Sequence, residues 1–507
     1  MSEDTSRLVV VSNRLPVVLT RNDEDTWTAR QGSGGLISAL APILRDRGGV
    51  WIGWPGTSEL DAIEDTLRDL NDEAGYELVP VQMSAELVKG YYEGFSNEIV
   101  WPLFHDMPSR CNFQPDYWES YLEANMLVAQ RIAEVSRPND LIWVQDYHLL
   151  MCGDALRQLG KGQSSSFFLH IPFPSLDLFM MLPWRFEILR GLLEYNTIGF
   201  QSQRDVRNFI ACIRAVVRGV RIRGRGQSFE VELPDHTVRV GSFPIGIDAA
   251  AFRAHAESES TEREMMRLRD QLPNTRIVLG VDRLDYSKGL PHRIKALREL
   301  LRSHPHLQGQ ITLLQVVIPS REGVPEYQAL RQEVEQLVGQ VNGEFTQPGW
   351  VPVHYLYRSL SQDELIGWYR ASDICLVTPL KDGMNLVAKE YCACNIDDDG
   401  VLILSEFAGA AAQLQRGALL VNPYDVVGTA DALYRAITMS PREQRQRMRR
   451  LRANVERENV AWWADAFLDA AFHRRLEDFA VHEYFVPHTD VRVPFLSAAA
   501  GERGDHP

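Results

Sequence analysis

This sequence predicts an α/β fold made of two doubly wound parallel sheets, and three observations carry the prediction. Short apolar runs recur at 7–11, 141–145, 166–169, 276–281, 311–318, 373–377 and 401–404, and each closes on polar residues, as strands buried on both faces do when they deliver side chains to one sheet edge. Stretches with helical spacing lie between them, the alternation that gives parallel sheets. The 507 residues also exceed what one small core can organise, so two units of about 200 to 250 residues are expected.

Composition narrows the function. With 45% hydrophobic and 24% charged residues, the chain reads as an ordinary globular protein. No apolar run approaches the roughly 20 residues that span a bilayer, and Met1-Ser2-Glu3-Asp4 lacks a basic segment followed by an apolar one. A cytoplasmic protein without membrane contact is expected. The formal net charge of −15 argues against a nucleic-acid partner, so any anionic small molecule must be held by a few focused Arg and Lys side chains. Cys111, Cys152, Cys212, Cys375, Cys392 and Cys394 are scattered through apolar segments without metal or redox spacing, and are expected to be structural free thiols.

Taken in order, the first strand ends in Ser12-Asn13-Arg14 before Pro16 and so carries Arg14 at its carboxyl end. Gly32-Ser33-Gly34-Gly35-Leu36 is a glycine-rich loop opening a helix, suited to close approach of a phosphate, although a flexible turn has the same composition. Trp54 can stack on a sugar or fill the core. Aromatic residues, Tyr92 and Trp101 among them, crowd 91–102; a helical stretch at 116–135 follows. The next strands end on Asp146 and on His170, as a shared crevice in a doubly wound sheet requires. Arg218, Arg221, Arg223 and Arg225 read as a solvated face beside a hairpin, and the Pro/Gly-punctuated 243–248 as the junction between the two units.

In the second series, Arg283 and Lys288 follow a strand and can neutralise a diphosphate, with Gly289 permitting close approach. The strand at 311–318 delivers Arg321 to the same edge. The most informative stretch is 373–390: an apolar run broken at Pro379 and Asp382-Gly383, then helical spacing through Glu390, which reads as strand, tight loop and helix start. Such a helix start offers unpaired N–H groups to an anion, and Asp382 and Glu390 put two carboxylates within reach of sugar hydroxyls. Taken by itself, Asp382 reads first as a plain helix cap. From 427 to about 479 the pattern is helical, and the tail beyond 487 is expected to fray.

Ser12-Asn13-Arg14, Gly34-Gly35-Leu36, Asp146-Tyr147-His148-Leu149, His170-Ile171-Pro172-Phe173-Pro174-Ser175, the run from Asp282 to Gly289 and the run from Asp382 to Glu390 resemble, in that order, the motifs of trehalose-6-phosphate synthases. The resemblance extends over about residues 7 to 475, and the ordered set is far more specific than any member of it. It implies a retaining glycosyltransferase of the GT-B type, with two Rossmann-like domains facing a cleft. Residues 1–245 would bind the acceptor and 246–460 the nucleotide sugar. A helix in 461–486, around Trp462, Trp463 and Phe467, would cross back to the first domain.

The implied reaction moves glucose from a nucleotide sugar, usually UDP-glucose, to glucose 6-phosphate. The resemblance carries over a catalytic set of Asp146, His170, Arg283, Lys288 and Asp382. Donor contacts would come from the Gly34-Gly35 loop, His170, Asp382 with the backbone of Gly383, Met384, Asn385 and Leu386, and Val387, with Arg283 and Lys288 on the diphosphate and Glu390 on the ribose. Arg14 and Arg321 would hold the acceptor phosphate, with Trp54, Tyr92, Trp101 and Asp146 around its hydroxyls. No metal or other cofactor is implied; Arg283 and Lys288 would stabilise the leaving diphosphate. Partners would be small-molecule substrates, and a homo-oligomer stays open.

Departures from the family pattern are Gln145, where many members have a histidine, and Cys392 and Cys394; neither is expected to touch a ligand contact. No phosphatase motif follows residue 480. Two neighbouring readings stay open: a synthase that uses glycerol 3-phosphate as acceptor, and a catalytically silent regulatory member.

Overall fold

The computed structural model describes residues 7–21, 27–32, 35–59, 63–161, 165–321, 324–473 and 485. Its strands are β1 (Leu8–Arg14), β2 (Val17–Arg21), β3 (Trp27–Gln31), β4 (Gly49–Trp54), β5 (Glu77–Pro80), β6 (Leu141–Gln145), β7 (Ser165–Leu169), β8 (Thr197–Phe200), β9 (Arg221–Arg225), β10 (Ser228–Glu232) and β11 (Thr237–Ser242) in the first half. The second half adds β12 (Arg276–Arg283), β13 (Ile311–Ile318), β14 (Val353–Tyr357), β15 (Ile374–Val377), β16 (Val401–Ser405) and β17 (Leu419–Val421).

The first sheet runs β5-β4-β1-β6-β7-β8-β11-β10-β9, and the second β14-β13-β12-β15-β16-β17. Read by order of appearance, the first six strands of one sheet and all six of the other follow the same 3-2-1-4-5-6 winding. The strand order reverses between β1 and β6 and again between β12 and β15, which opens a crevice at the carboxyl ends of those four strands. The expected hairpin ending near Val240 is β10–β11, antiparallel, and the arginines beside it lie on the adjoining β9, with Arg221, Arg223 and Arg225 exposed. β2 and β3 form a separate ribbon.

Both sheets are covered on both faces, as the unbroken apolar runs require: Val9, Val10 and Val11 of β1 and Ile277, Val278 and Leu279 of β12 are fully buried. The helices include α1 (Gly35–Arg47), α2 (Pro115–Val135), α3 (Leu290–Ser303), α4 (Leu386–Cys394), α5 (Pro441–Arg457) and α6 (Val460–His473). The helical pattern from 427 onward is broken where Ser440 caps α5 and Pro441 opens it, and again at Glu458-Asn459.

Two chain crossings join the halves, and they touch. Val460 donates its N–H to the Ile247 carbonyl at 3.0 Å, and Gly246 lies so close to Asn459 that a side chain would overlap that residue's backbone. α6 then packs on the first sheet. Phe467 stacks on Trp143 (centroids 4.6 Å apart, 7° between planes), Trp463 lies edge-on to Phe168, and the Arg239 guanidinium donates to the Ala470 carbonyl.

Residues 89–100 form a helix wound with i→i+5 hydrogen bonds, continued at Trp101, whose N–H reaches the Ser96 carbonyl. The aromatic crowding at 91–102 gave no sign of this winding, which is rare and recurs at functional sites. Here it directs Tyr91 to Asn13 (3.0 Å) and carries Tyr92 and Trp101 to the crevice.

Candidate functional site

The crevice is built from strand ends. β1 ends on Arg14, β6 leads into Asp146, β7 into His170, β12 ends on Arg283, and β15 leads into the loop before α4. Gly383 in that loop lies against His170, where a Cβ would overlap the His170 carbonyl oxygen; only glycine lets the two sheet edges meet there.

On the second-sheet side, Lys288 donates to Asp382 at 2.6 Å, and Asn385 donates to the same carboxylate oxygen at 3.1 Å. Burial raises the Asp382 carboxyl, but Lys288 and the hydrogen bonds it receives outweigh that and hold it below the usual carboxylate range. The cap of α4 is Asn385, whose side chain accepts from Ala388 N at 3.2 Å; Asp382 is therefore not the plain cap its position suggested. Gly289, at φ 67°, passes against the Thr378 carbonyl. Met384 is buried and Leu386 and Val387 half-buried at the start of α4. Glu390, one turn further, accepts from Tyr369 at 2.9 Å, and burial pushes its carboxyl up.

Two cations lie close to the Trp101 ring. The Arg321 guanidinium lies 4.3 Å from its ring centroid and that of Arg283 5.7 Å. Arg321 donates to Tyr147 Oη at 3.3 Å and to Tyr327 Oη, and pairs with Asp285 at 3.7 Å. Burial lowers its basicity, but Tyr147, Tyr327 and Asp285 raise it further, so the charge is secure. Arg283 is exposed. Across the crevice, Arg14 lies over Trp54 at 4.7 Å; Trp54 itself is buried and bonds Thr57 O, so it supports Arg14 as a platform and fills the core at once.

Asp146 sits at φ 71°, outside the region favoured by non-glycine residues, and accepts the His170 N–H at 3.1 Å. Burial raises its carboxyl to about 6 against the pull of three backbone hydrogen bonds and Arg283. Tyr92 stacks on His148 (5.7 Å, 17°), whose ring is pushed down to about 3 by burial and by the nearby Arg321 and Arg14. His170 has both ring nitrogens engaged, Nε2 with Gln145 Oε1 at 2.9 Å and Nδ1 with Gln201 Nε2 at 3.2 Å. Gln145 thus touches a predicted site residue, contrary to the expectation that this departure from the family pattern would be silent. Gly34 lies outside the described residues, and Gly35 opens α1.

Sequence reasoning missed Tyr147, Tyr327, Asp285, His105 and the pair Lys381–Asp106. Tyr147 and Asp285 lie inside motifs already singled out. His105 packs against Trp101 with ring centroids 4.2 Å apart and is held near 4 by burial. Lys381 spans the crevice to Asp106 at 2.6 Å, 275 residues away in sequence, and no local signal announces it.

Residues 6–473 match the family model for glycosyltransferase family 20. A trehalose-6-phosphate synthase of Mycolicibacterium vanbaalenii is 44% identical over 91% of this chain and 95% of its own length. Among solved structures, a UDP-forming α,α-trehalose-phosphate synthase from Burkholderia xenovorans in complex with glucose 6-phosphate superposes with a TM-score of 0.82 at 31% identity, over 92% of this chain and all of that one. An E. coli protein bound with UDP-2-fluoroglucose gives 0.82 at 34%, over 94% of this chain and all of that one.

Proposed function

The chain belongs to glycosyltransferase family 20 and has the GT-B fold, and on that premise we propose that it transfers glucose from UDP-glucose to glucose 6-phosphate with retention, releasing UDP and forming α,α-trehalose 6-phosphate. The observation that carries this reading is the indole of Trp101 with both Arg321 and Arg283 close to its ring. Two cationic groups gathered at one aromatic residue suit two phosphate-bearing substrates that meet in one crevice.

In this reading the donor diphosphate faces Arg283 and Lys288, and the start of α4 turns its free N–H groups toward the donor. Asp382, kept ionised by Lys288, accepts from hydroxyls of the donor glucose beside His170, and Glu390 takes the ribose. The acceptor phosphate is held by Arg14 and Arg321, with Tyr92, Trp101 and Asp146 along the sugar, Trp54 beneath Arg14, and the Gly34-Gly35 loop over the diphosphate. Arg283 and Lys288 stabilise charge as it develops on the leaving phosphate, and that phosphate oxygen takes the proton of the attacking hydroxyl on the same face. Retention and this proton path rest on family membership.

The test is nucleotide release from UDP-glucose with glucose 6-phosphate and, in parallel, glycerol 3-phosphate, each product weighed by mass spectrometry and its anomeric linkage read by NMR. A phosphorylated, non-reducing disaccharide formed from glucose 6-phosphate is expected. Preference for glycerol 3-phosphate, or silence with both acceptors, overturns the reading.

A further inference from the structure

Gln145, His170 and Gln201 come from three successive parallel strands. Gln145 ends β6, His170 follows β7 and Gln201 follows β8, and the register that pairs Gln145 with Phe168 and Leu169 with Phe200 sets the three side chains side by side at one sheet edge. Both glutamines are buried, and the imidazole between them is flanked by Phe168 at 4.7 Å and Trp463 at 6.1 Å.

The orientation of Gln201 is fixed by the main chain. Its Oε1 accepts the N–H of Ile245, at the crossing between the two halves, at 2.9 Å, so its Nε2 must be the atom that faces His170. An amide N–H donating to Nδ1 requires that nitrogen to be unprotonated. The ring proton therefore belongs on Nε2, where Gln145 Oε1 accepts it. A flipped Gln145 amide would face the ring with a second donor, which a neutral imidazole carrying one proton cannot accommodate. In the orientation found, the Gln145 Nε2 is left without a hydrogen-bond partner among the described residues, so the contact that holds this amide is the one to His170.

We infer that Gln145 and Gln201 are positioning residues for His170, holding its ring neutral with the single proton on Nε2. Burial acts in the same direction, lowering the ring to about 3. The consequence rests on the proposed placement of His170 beside the donor sugar: a neutral ring keeps a further positive charge away from that sugar, and Ile245 ties the ring to the crossing about which the halves would close.

The test reads the ring directly, in substrate-free protein labelled with 15N-histidine, by long-range 1H–15N correlation, with the His170 signals identified by their absence in His170→Asn. The expected wild-type pattern is a neutral Nε2–H ring, unchanged from pH 8 to pH 5. Gln201→Glu keeps an acceptor for Ile245 N–H while replacing the donor to Nδ1 by a carboxylate. It should place protons on both ring nitrogens at pH 7, raise the UDP-glucose KM or lower kcat by about 10-fold, and leave UDP affinity within about 2-fold. An Nδ1–H ring or a ring titrating near pH 6.5 in the wild type overturns the inference, as does a Gln201→Glu enzyme with unchanged KM and kcat. Failure of the proposed reaction would instead appear in the wild-type turnover assay, with the ring spectrum still readable.

Discussion

Arg283 and Lys288 occupy the same proposed role but differ as probes. Arg283 is exposed, so Arg283→Ala should leave the melting temperature within about 2 °C, since surface substitutions cost about 0.5 kcal/mol or less. It should weaken UDP by about 10-fold, the worth of one charge-assisted hydrogen bond. Lys288→Ala strands a half-buried Asp382, and the loss should show first as instability, relieved in part by the double change Lys288→Ala with Asp382→Asn; a melting curve equal to wild type would mean that the 2.6 Å pair does not hold the loop. Asp146 gives a pH test. Its folded carboxyl lies near 6, above the unfolded value of 3.8, so folding favours the neutral form. That contribution is full below 3.8 and lost as pH rises through 6. Thermal denaturation should therefore show wild type losing stability relative to Asp146→Asn between pH 4 and pH 7, and a constant difference across that range would refute the shift.

At the scale of elements, the loop between β15 and α4 is the part with least tolerance. Gly383→Ala must push the loop off the His170 carbonyl, and turnover should fall by about 100-fold while circular dichroism stays native; near-normal turnover would show that the two edges need not meet. Strand and helix identities were legible because apolar runs stop at polar residues and several helices open at a cap or proline, as at Pro115, Ser361 and Ser440. The i→i+5 helix at 89–100 was not, because its side chains have no sequence period that separates it from an ordinary amphipathic turn. The Gln145–His170–Gln201 contact was illegible for another reason: lateral neighbours in a parallel sheet are some 25 to 31 residues apart, and only strand register brings them together.

At the scale of the molecule, the sequence disclosed the two sheets and which residues stand at their carboxyl edges, since winding order follows from alternation of strand and helix. It did not disclose what spans the crevice. Lys381–Asp106 and Arg321–Tyr147 join the halves across separations of 275 and 174 residues, and both arise only once the sheets face each other. α6 fastens the halves from behind through Trp463, which is fully buried, and Trp463→Ala should cost about 3 to 5 kcal/mol, read as a drop in the denaturation midpoint. A loss under 1 kcal/mol would mean that the returning helix is not part of the fold's stability.

The central claim is that one crevice holds two anions on separate walls. Calorimetry of UDP, and of glucose 6-phosphate in the presence of saturating UDP, on wild type, Arg283→Ala and Arg14→Ala tests it most directly. The account predicts that Arg283→Ala weakens UDP by about 10-fold or more and leaves glucose 6-phosphate within about 2-fold, and that Arg14→Ala does the reverse. Joint loss of both ligands in either variant, or no loss in both, would contradict it.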